Sequence, residues 1–167
     1  KNDGQDYLVE SNSIGADISP IKMAAAYAAF GNYGTYSKPY TVTKVTTRDG
    51  QVTEFKPEQK QAMKDSTAYM ITDVLKDSFK YGFATQATIP GLPTAAKTGS
   101  SNYTVEQKRA MGASDYEDII PDSWFIGYST DYTISAWTGY DNPYEKGGGV
   151  DTTEQEYSRL IYYSVWF

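Results

Sequence analysis

The chain has 167 residues, enough for about one domain with a sizeable core. Lys and Arg total 15 against 21 Asp and Glu, a formal net charge of −6, which argues against a broad nucleic-acid or anionic-membrane footprint while leaving room for a local cationic site. With no His and no Cys, imidazole bases, thiolate nucleophiles and zinc thiolate sites are excluded, so catalysis must use Lys, Tyr, Ser, Thr or carboxylates.

The carboxylates are scattered without a metal-type spacing, so no metal and no cofactor is expected. No apolar run approaches the ~18 to 20 residues of a spanning helix. The start, Lys1-Asn2-Asp3-Gly4, carries neither an initiator Met nor a signal-peptide core, and the chain reads as an excised piece.

Residues 1–18 mix Gly, Asp, Asn and Ser and read as irregular, with Asp17 or Ser19 capping the first helix. That helix is predicted from Pro20, with Met23, Ala24, Tyr27, Ala28 and Phe30 on one apolar face and Gly31 with Gly34 as a stop; its Ala-rich composition suggests burial on most sides. Thr41–Arg48 and Gln51–Phe55 flank Asp49-Gly50, a hairpin signal with solvent on both faces. Asp65-Ser66 caps a second helix to about Lys80, with Met70, Ile71, Val74, Leu75 and Phe79 at helical spacing and Gly82 past its end.

After the loop Pro90-Gly91-Leu92-Pro93, Thr94 to Ser101 reads as a strand of small residues. The polar stretch Asn102 to Pro121 reads as a mobile excursion. Trp124–Tyr128 and Thr133–Tyr140 read as two further strands joined at Ser129-Thr130-Asp131. Gly147-Gly148-Gly149 breaks the chain before a closing helix from about Thr152, with Tyr157, Leu160, Ile161, Ser164 and Val165 as its apolar face.

The chemistry concentrates in Lys97-Thr98-Gly99-Ser100. An ammonium and two hydroxyls suit a carboxylate, and a residue without Cβ lets a substrate backbone lie close. Period two sends Thr98 and Ser100 one way and Lys97 and Gly99 the other, so all reach one ligand only if the strand lines a cleft rim. A polar edge strand without a ligand is the plain alternative.

Three other matches fail on chemistry. Gly91 to Thr98 approximates a phosphate loop, but Ala96 replaces the glycine before the lysine, Pro93 removes an N–H, and Gly99 to Asn102 starts a helix poorly. Ser19-Pro20-Ile21-Lys22 matches Ser-x-x-Lys, yet a capping serine commits its hydroxyl to the backbone. Asp115-Tyr116-Glu117-Asp118 lacks the glycine and spacing of a calcium loop.

Ser19-Pro20 with the helix ending Ala28-Ala29-Phe30-Gly31, Lys38-Pro39-Tyr40, Thr67 to Leu75, Lys97 to Tyr103, Trp124 to Tyr128 and Ala136 to Asp141 together resemble the penicillin-binding transpeptidases. The similarity is to the C-terminal half of that domain in Gram-positive, streptococcal-like class A penicillin-binding proteins. It implies an α+β fold, the penicillin-binding transpeptidase or serine β-lactamase-like fold, in which a five-stranded antiparallel sheet is flanked by helices.

The resemblance also implies a serine that attacks the D-Ala-D-Ala end of a peptidoglycan stem peptide, forms an acyl-enzyme and passes the peptide to an amine, with β-lactams acylating the same serine. Carried over by position, Thr98 and Ser100 hold the carboxylate, Gly99 permits close approach, the Ser100 N–H completes an oxyanion hole, and Lys97 hydrogen-bonds the serine of a Ser-x-Asn motif. In the family both the nucleophile and Ser-x-Asn precede the lysine motif, so residues 1–167 are expected to be the later part of one domain and inactive alone. The expected partners are the stem peptide, β-lactams and the complementary N-terminal part of the domain, without nucleic acid. The implied location is the extracellular face of the cytoplasmic membrane, anchored by an N-terminal helix outside this chain. A non-catalytic peptide or β-lactam binding module, a structural α/β domain and a free serine β-lactamase stay open at this point.

Overall fold

Small and β-branched residues give the structure its central sheet. The computed structural model describes residues 10, 15–82 and 84–166. Most of the irregular start read for residues 1–18 lies outside the described residues. Strands β5 (Ala95–Ser100), β6 (Asp122–Tyr128) and β7 (Thr133–Gly139) pair antiparallel in the order β5-β6-β7. Lys97 stands opposite Ile126, Thr98 opposite Phe125 and Ser100 opposite Ser123, and Phe125 in turn faces Ala136. The β6–β7 turn closes on Ser129, whose N–H donates to the Tyr132 carbonyl at 2.9 Å. These are the three strands read from the sequence, out of the five that the resemblance implies.

Ahead of the sheet in the chain come α1 (Pro20–Gly31), the short strands β1 (Thr35–Ser37), β2 (Lys44–Thr46), β3 (Val52–Glu54) and β4 (Gln59–Gln61), and the helices α2 (Asp65–Lys76) and α3 (Ser78–Tyr81). Ser19 holds the N-cap position of α1 in extended backbone, but its hydroxyl makes no cap bond. The fixed φ of Pro20 starts the helix, and the Ser19 carbonyl accepts the Met23 N–H at 3.0 Å. The expected serine cap is therefore absent.

Helix α1 ends at a left-handed pair, Tyr33 (φ 51°) and Gly34 (φ 81°). A Cβ on Gly34 would collide with the Met63 carbonyl, so the turn requires glycine. Only Ala29 of α1 is fully buried, and its other apolar residues are half-buried or exposed, so the helix lies on the sheet and is not enclosed.

The β2–β3 hairpin forms as expected around Gly50 (φ 85°), with every strand residue exposed. The β1–β4 pair has no counterpart among the expected elements, because Thr-Tyr-Ser and Gln-Lys-Gln carry no apolar alternation. The second predicted helix is divided at Asp77 into α2 and α3. Lys64, not Asp65 or Ser66, occupies its N-cap position, and Asp65 accepts the Ser66 N–H at 2.7 Å within the first turn.

The excursion between β5 and β6, read from its polar sequence as mobile, holds a short helix and hydrogen bonds of its own. Thr104 and Gln107 form a reciprocal capping box at the start of α4 (Val105–Ala110), and Arg109 binds Asp115 through two nitrogens. Tyr103, Met111 and Ile119 build a small apolar cluster beneath it, and Tyr103 donates to the Pro143 carbonyl at 2.5 Å. The Ile120–Val150 bridge ties this segment to the Gly147–Gly149 region.

Helices pack on both sides of the sheet. On one face α1 and α2 meet Tyr128, whose hydroxyl lies 2.9 Å from Thr72 Oγ1 and whose ring contacts Tyr27 and Phe30. On the other lies α5 (Tyr157–Ser164), which follows a single 3₁₀ turn at Glu154–Glu156 capped by Asp151. Its Tyr162 is 0% exposed and packs on Phe125 with ring centroids 4.7 Å apart, amid Ala84, Ala87, Ile89, Ala96 and Ala136. The face predicted for burial is the outer one, since Tyr157, Leu160, Ile161, Ser164 and Val165 are all exposed. The face predicted for the second helix is divided: Met70 and Val74 are 68% and 70% exposed, whereas Ile71, Leu75 and Phe79 are half-buried, with Phe79 against the main core.

A Cβ built on Gly127 would lie 2.5 Å from the Tyr162 ring. Gly127→Ala is expected to destabilise the fold by about 1–3 kcal/mol through overpacking, measured as a lowered urea midpoint. Burial pushes the Tyr162 phenol up to about 12, so this residue's contribution is complete below pH 10 and is lost as pH rises towards 12. Urea titrations across that range should show wild type losing more stability than Tyr162→Phe.

Candidate carboxylate-binding strand

Strand β5 lies at the edge of the three-stranded sheet, with no partner on its outer side among the described residues. It begins buried at Ala95 and Ala96 and ends exposed at Ser100, so its polar residues sit where the strand emerges. Their faces follow the pleat. Thr98 and Ser100 share a face with Ser123 and Phe125 and look toward α5, whereas Lys97 and Gly99 share the opposite face with Trp124 and Ile126. Lys97 is exposed, and its Nζ donates to the Thr98 carbonyl at 2.6 Å. The four motif residues are thus contiguous but divided between two faces, as the period predicts.

Thr98, Gly99 and Ser100 open on a cleft of about 240 Å³ between β5–β6 and the first turn of α5. Its size suits a carboxylate and its immediate neighbours. The cleft is polar where Ser123 and Ser158 lie, their hydroxyls 3.2 Å apart, and Ser123 also donates to the Gln155 carbonyl at 3.0 Å. These bonds fasten the start of α5 to β6. A second cleft, of about 270 Å³, lies at the other end of β5 among Phe30, Tyr69, Thr72, Pro93, Thr94 and Tyr128. Ser19 and Lys22 line neither cleft.

The strand leaves the sheet through a bond that the motif did not reveal. Beyond the last ladder pair, Ser100–Ser123, the Ser101 hydroxyl donates to Asp122 Oδ2 at 2.7 Å. This cross-strand closure fixes the backbone immediately after Ser100. The aromatic neighbourhood is likewise firm, with Trp124 and Trp137 paired across β6–β7 at 6.5 Å. Burial pushes the phenols of Tyr103 and Tyr128 above their ordinary range, and a hydrogen bond to Glu154 does the same for Tyr140. None of these phenols is therefore a base near neutral pH. No group of acidic residues able to hold a metal ion occurs among the described residues, and none of their helices is long and apolar enough to cross a membrane.

A sheet of this order, helices on both faces and a Lys-Thr-Gly-Ser edge strand define a class: the chain belongs to the penicillin-binding protein transpeptidase domain family, whose pattern matches residues 1–160. Its relatives include penicillin-binding protein 1A/1B of Bacillus subtilis, 39% identical over 164 residues covering 95% of this chain and 18% of the relative. Penicillin-binding protein 1A of Streptococcus pneumoniae is 40% identical over 162 residues, 93% of this chain and 22% of that protein. These are the class A relatives that the motifs suggested. Among solved structures, the imipenem acyl-enzyme complex of penicillin-binding protein A from Mycobacterium tuberculosis shares the fold with a TM-score of 0.61 at 18% identity, over 92% of this chain and 33% of that one. The chain spans about a fifth of the length of the curated relatives it matches.

Ser101→Ala should release the end of β5 locally without unfolding the sheet. Amide hydrogen exchange at residues 100–102 is expected to accelerate, by an amount equivalent to roughly 0.5–1.5 kcal/mol of local stability, with little change in the melting temperature.

Proposed function

We propose that this chain is the C-terminal part of a D,D-transpeptidase domain and supplies the carboxylate-binding and oxyanion side of its cleft. The observation that carries this reading is the placement of Thr98 and Ser100, in a member of the transpeptidase family, on one face of an emerging edge strand and over a cleft. Hydroxyls at that point donate to a carboxylate on the substrate's terminal D-Ala, and the Ser100 N–H donates to the oxygen that becomes negative during attack. Such a donor typically contributes about 3–4 kcal/mol to the transition state.

The chemistry is acyl transfer in two steps. A serine Oγ from the complementary N-terminal part attacks the penultimate D-Ala carbonyl, the Oγ–C bond forms, the C–N bond breaks, and terminal D-Ala leaves as its amine carrying the serine proton. An amine of a second stem peptide then attacks the ester, forms the cross-linking amide and returns the proton to serine. A β-lactam enters the first step in place of the dipeptide, but its opened ring keeps the leaving nitrogen tethered. Lys97, on the opposite face from Thr98, is assigned to the Ser-x-Asn serine, where its charge assists proton transfer to the leaving group.

The outward apolar faces of α2 and α5 support a complementary segment, since Met70, Val74, Leu160, Ile161 and Val165 would otherwise meet water in one chain. By family, the assembled domain works on peptidoglycan at the outer face of the cytoplasmic membrane.

In the complete domain, Lys97→Ala should slow acylation by a fluorescent penicillin about 10²–10⁴-fold, the range of a positioned proton-transfer group. Thr98→Val should slow it about ten- to a hundredfold through loss of a hydrogen bond to a charged group. Unchanged labelling of both variants would contradict the assignment. Covalent labelling of isolated residues 1–167 would contradict the expected upstream nucleophile. Rapid release of the acyl group would indicate a β-lactamase instead.

A further inference from the structure

The division of the motif between two faces leaves a charge to be accounted for. Thr98 and Ser100 look toward α5, whereas Lys97 belongs to the opposite face and its Nζ bonds the Thr98 carbonyl. A carboxylate seated on the two hydroxyls therefore meets the α5 side of the strand. Among the described residues that line the cleft with Thr98, Gly99 and Ser100, the cationic side chain is Arg159.

We propose that Arg159 of α5 is a second cation of the carboxylate site, receiving the substrate's terminal carboxylate together with Thr98 and Ser100. The inference rests on the transpeptidase reading above and adds a binding residue from outside the motif. Three observations carry it. The Arg159 side chain is only 16% exposed, so its field in the cleft is weakly screened. Its position is fixed: Glu156 pairs with Nη2 one turn earlier, the Ser123 bonds fasten the adjoining turn to β6, and Tyr162 anchors the next turn in the core. The adjoining Gln155 presents an amide nitrogen that is buried without a hydrogen-bond partner, so the cleft wall has donor capacity beyond the guanidinium.

Guanidinium chemistry fits this role. Five N–H donors in a planar fork match carboxylate geometry, which lets one arginine bind a structural carboxylate and a ligand carboxylate at once. Glu156 then orients the fork, and its negative charge disfavours small anions that do not also engage the β5 hydroxyls. Lys97 and Arg159 thus divide the work: one cation for the reacting serine side, one for the recognised end of the substrate.

The test uses the complete transpeptidase domain and two probes, benzylpenicillin and the analogue whose ring carboxylate is converted to a carboxamide. Pre-steady-state acylation separates the non-covalent binding constant from the acylation rate constant for wild type, Arg159→Gln, Arg159→Lys and Thr98→Val. Arg159→Gln is expected to weaken binding of benzylpenicillin about tenfold or more, as for loss of a hydrogen bond between charged groups, with the acylation rate constant nearly unchanged. Arg159→Lys should recover part of the loss, and the carboxamide should bind wild type and Arg159→Gln alike.

An equal loss for both probes would make Arg159 a structural residue and overturn the proposal. So would unchanged binding of both probes by Arg159→Gln while Thr98→Val still discriminates between them, a result that leaves the strand's assignment standing. Failure of Thr98→Val to discriminate as well would remove the carboxylate site itself, and Arg159's role with it.

Discussion

Tyr162 seated on Gly127 is the contact on which the rest of the structure depends. Only a residue without Cβ in the middle of β6 lets the ring lie against the sheet backbone, and Phe125 two residues earlier supplies the edge it packs beside. That contact sets how closely α5 approaches the sheet. Because Thr98 and Ser100 share the Phe125 face, it also sets the depth of the cleft beneath the exposed end of β5. Core packing and ligand geometry are therefore one problem here, joined through the first two turns of α5.

The sheet's register does the rest. A slip of one residue between β5 and β6 would carry Thr98 and Ser100 to the α1 side and bring Lys97 to α5, exchanging hydroxyls for ammonium in the cleft. Register is held by Ala95 and Ala96 in the core at one end and by the Ser101–Asp122 bond at the other. Between them the motif residues emerge gradually into solvent, which gives a ligand access to side chains and outer-edge backbone of the same strand. The surfaces left apolar, on α2 and the outer side of α5, suit burial by protein better than binding of a small polar ligand.

Much of this was legible because the relevant physics is local. The three sheet strands, the Asp49-Gly50 hairpin and the starts of α1 and α2 each carry their signal within a few consecutive residues, and so does the lysine motif. What escaped depends on pairing or packing at a distance. The β1–β4 ladder is polar and joins segments far apart in sequence. Helix α4 is short and highly charged, although Thr104 and Gln107 do carry a capping-box spacing that could have marked its start. For α5, apolar periodicity found a real stripe but not its partner: a single aromatic, Tyr162, outcompeted the longer aliphatic stripe because Gly127 offered it a matching recess. Asp122 and Arg159 were invisible for the same reason, since nothing in their own neighbourhoods refers to β5.

In the proposed site, β5 holds the carboxylate and oxyanion of an acylating ligand over the α5 cleft. A crystal structure of the complete transpeptidase domain acylated by benzylpenicillin tests it most directly. The ester carbonyl oxygen is expected within hydrogen-bond distance of the Ser100 N–H and the ring carboxylate on the hydroxyls of Thr98 and Ser100, with the acylated serine outside residues 1–167. An acyl group bonded to a serine within this chain, or a carboxylate bound away from β5, would contradict it.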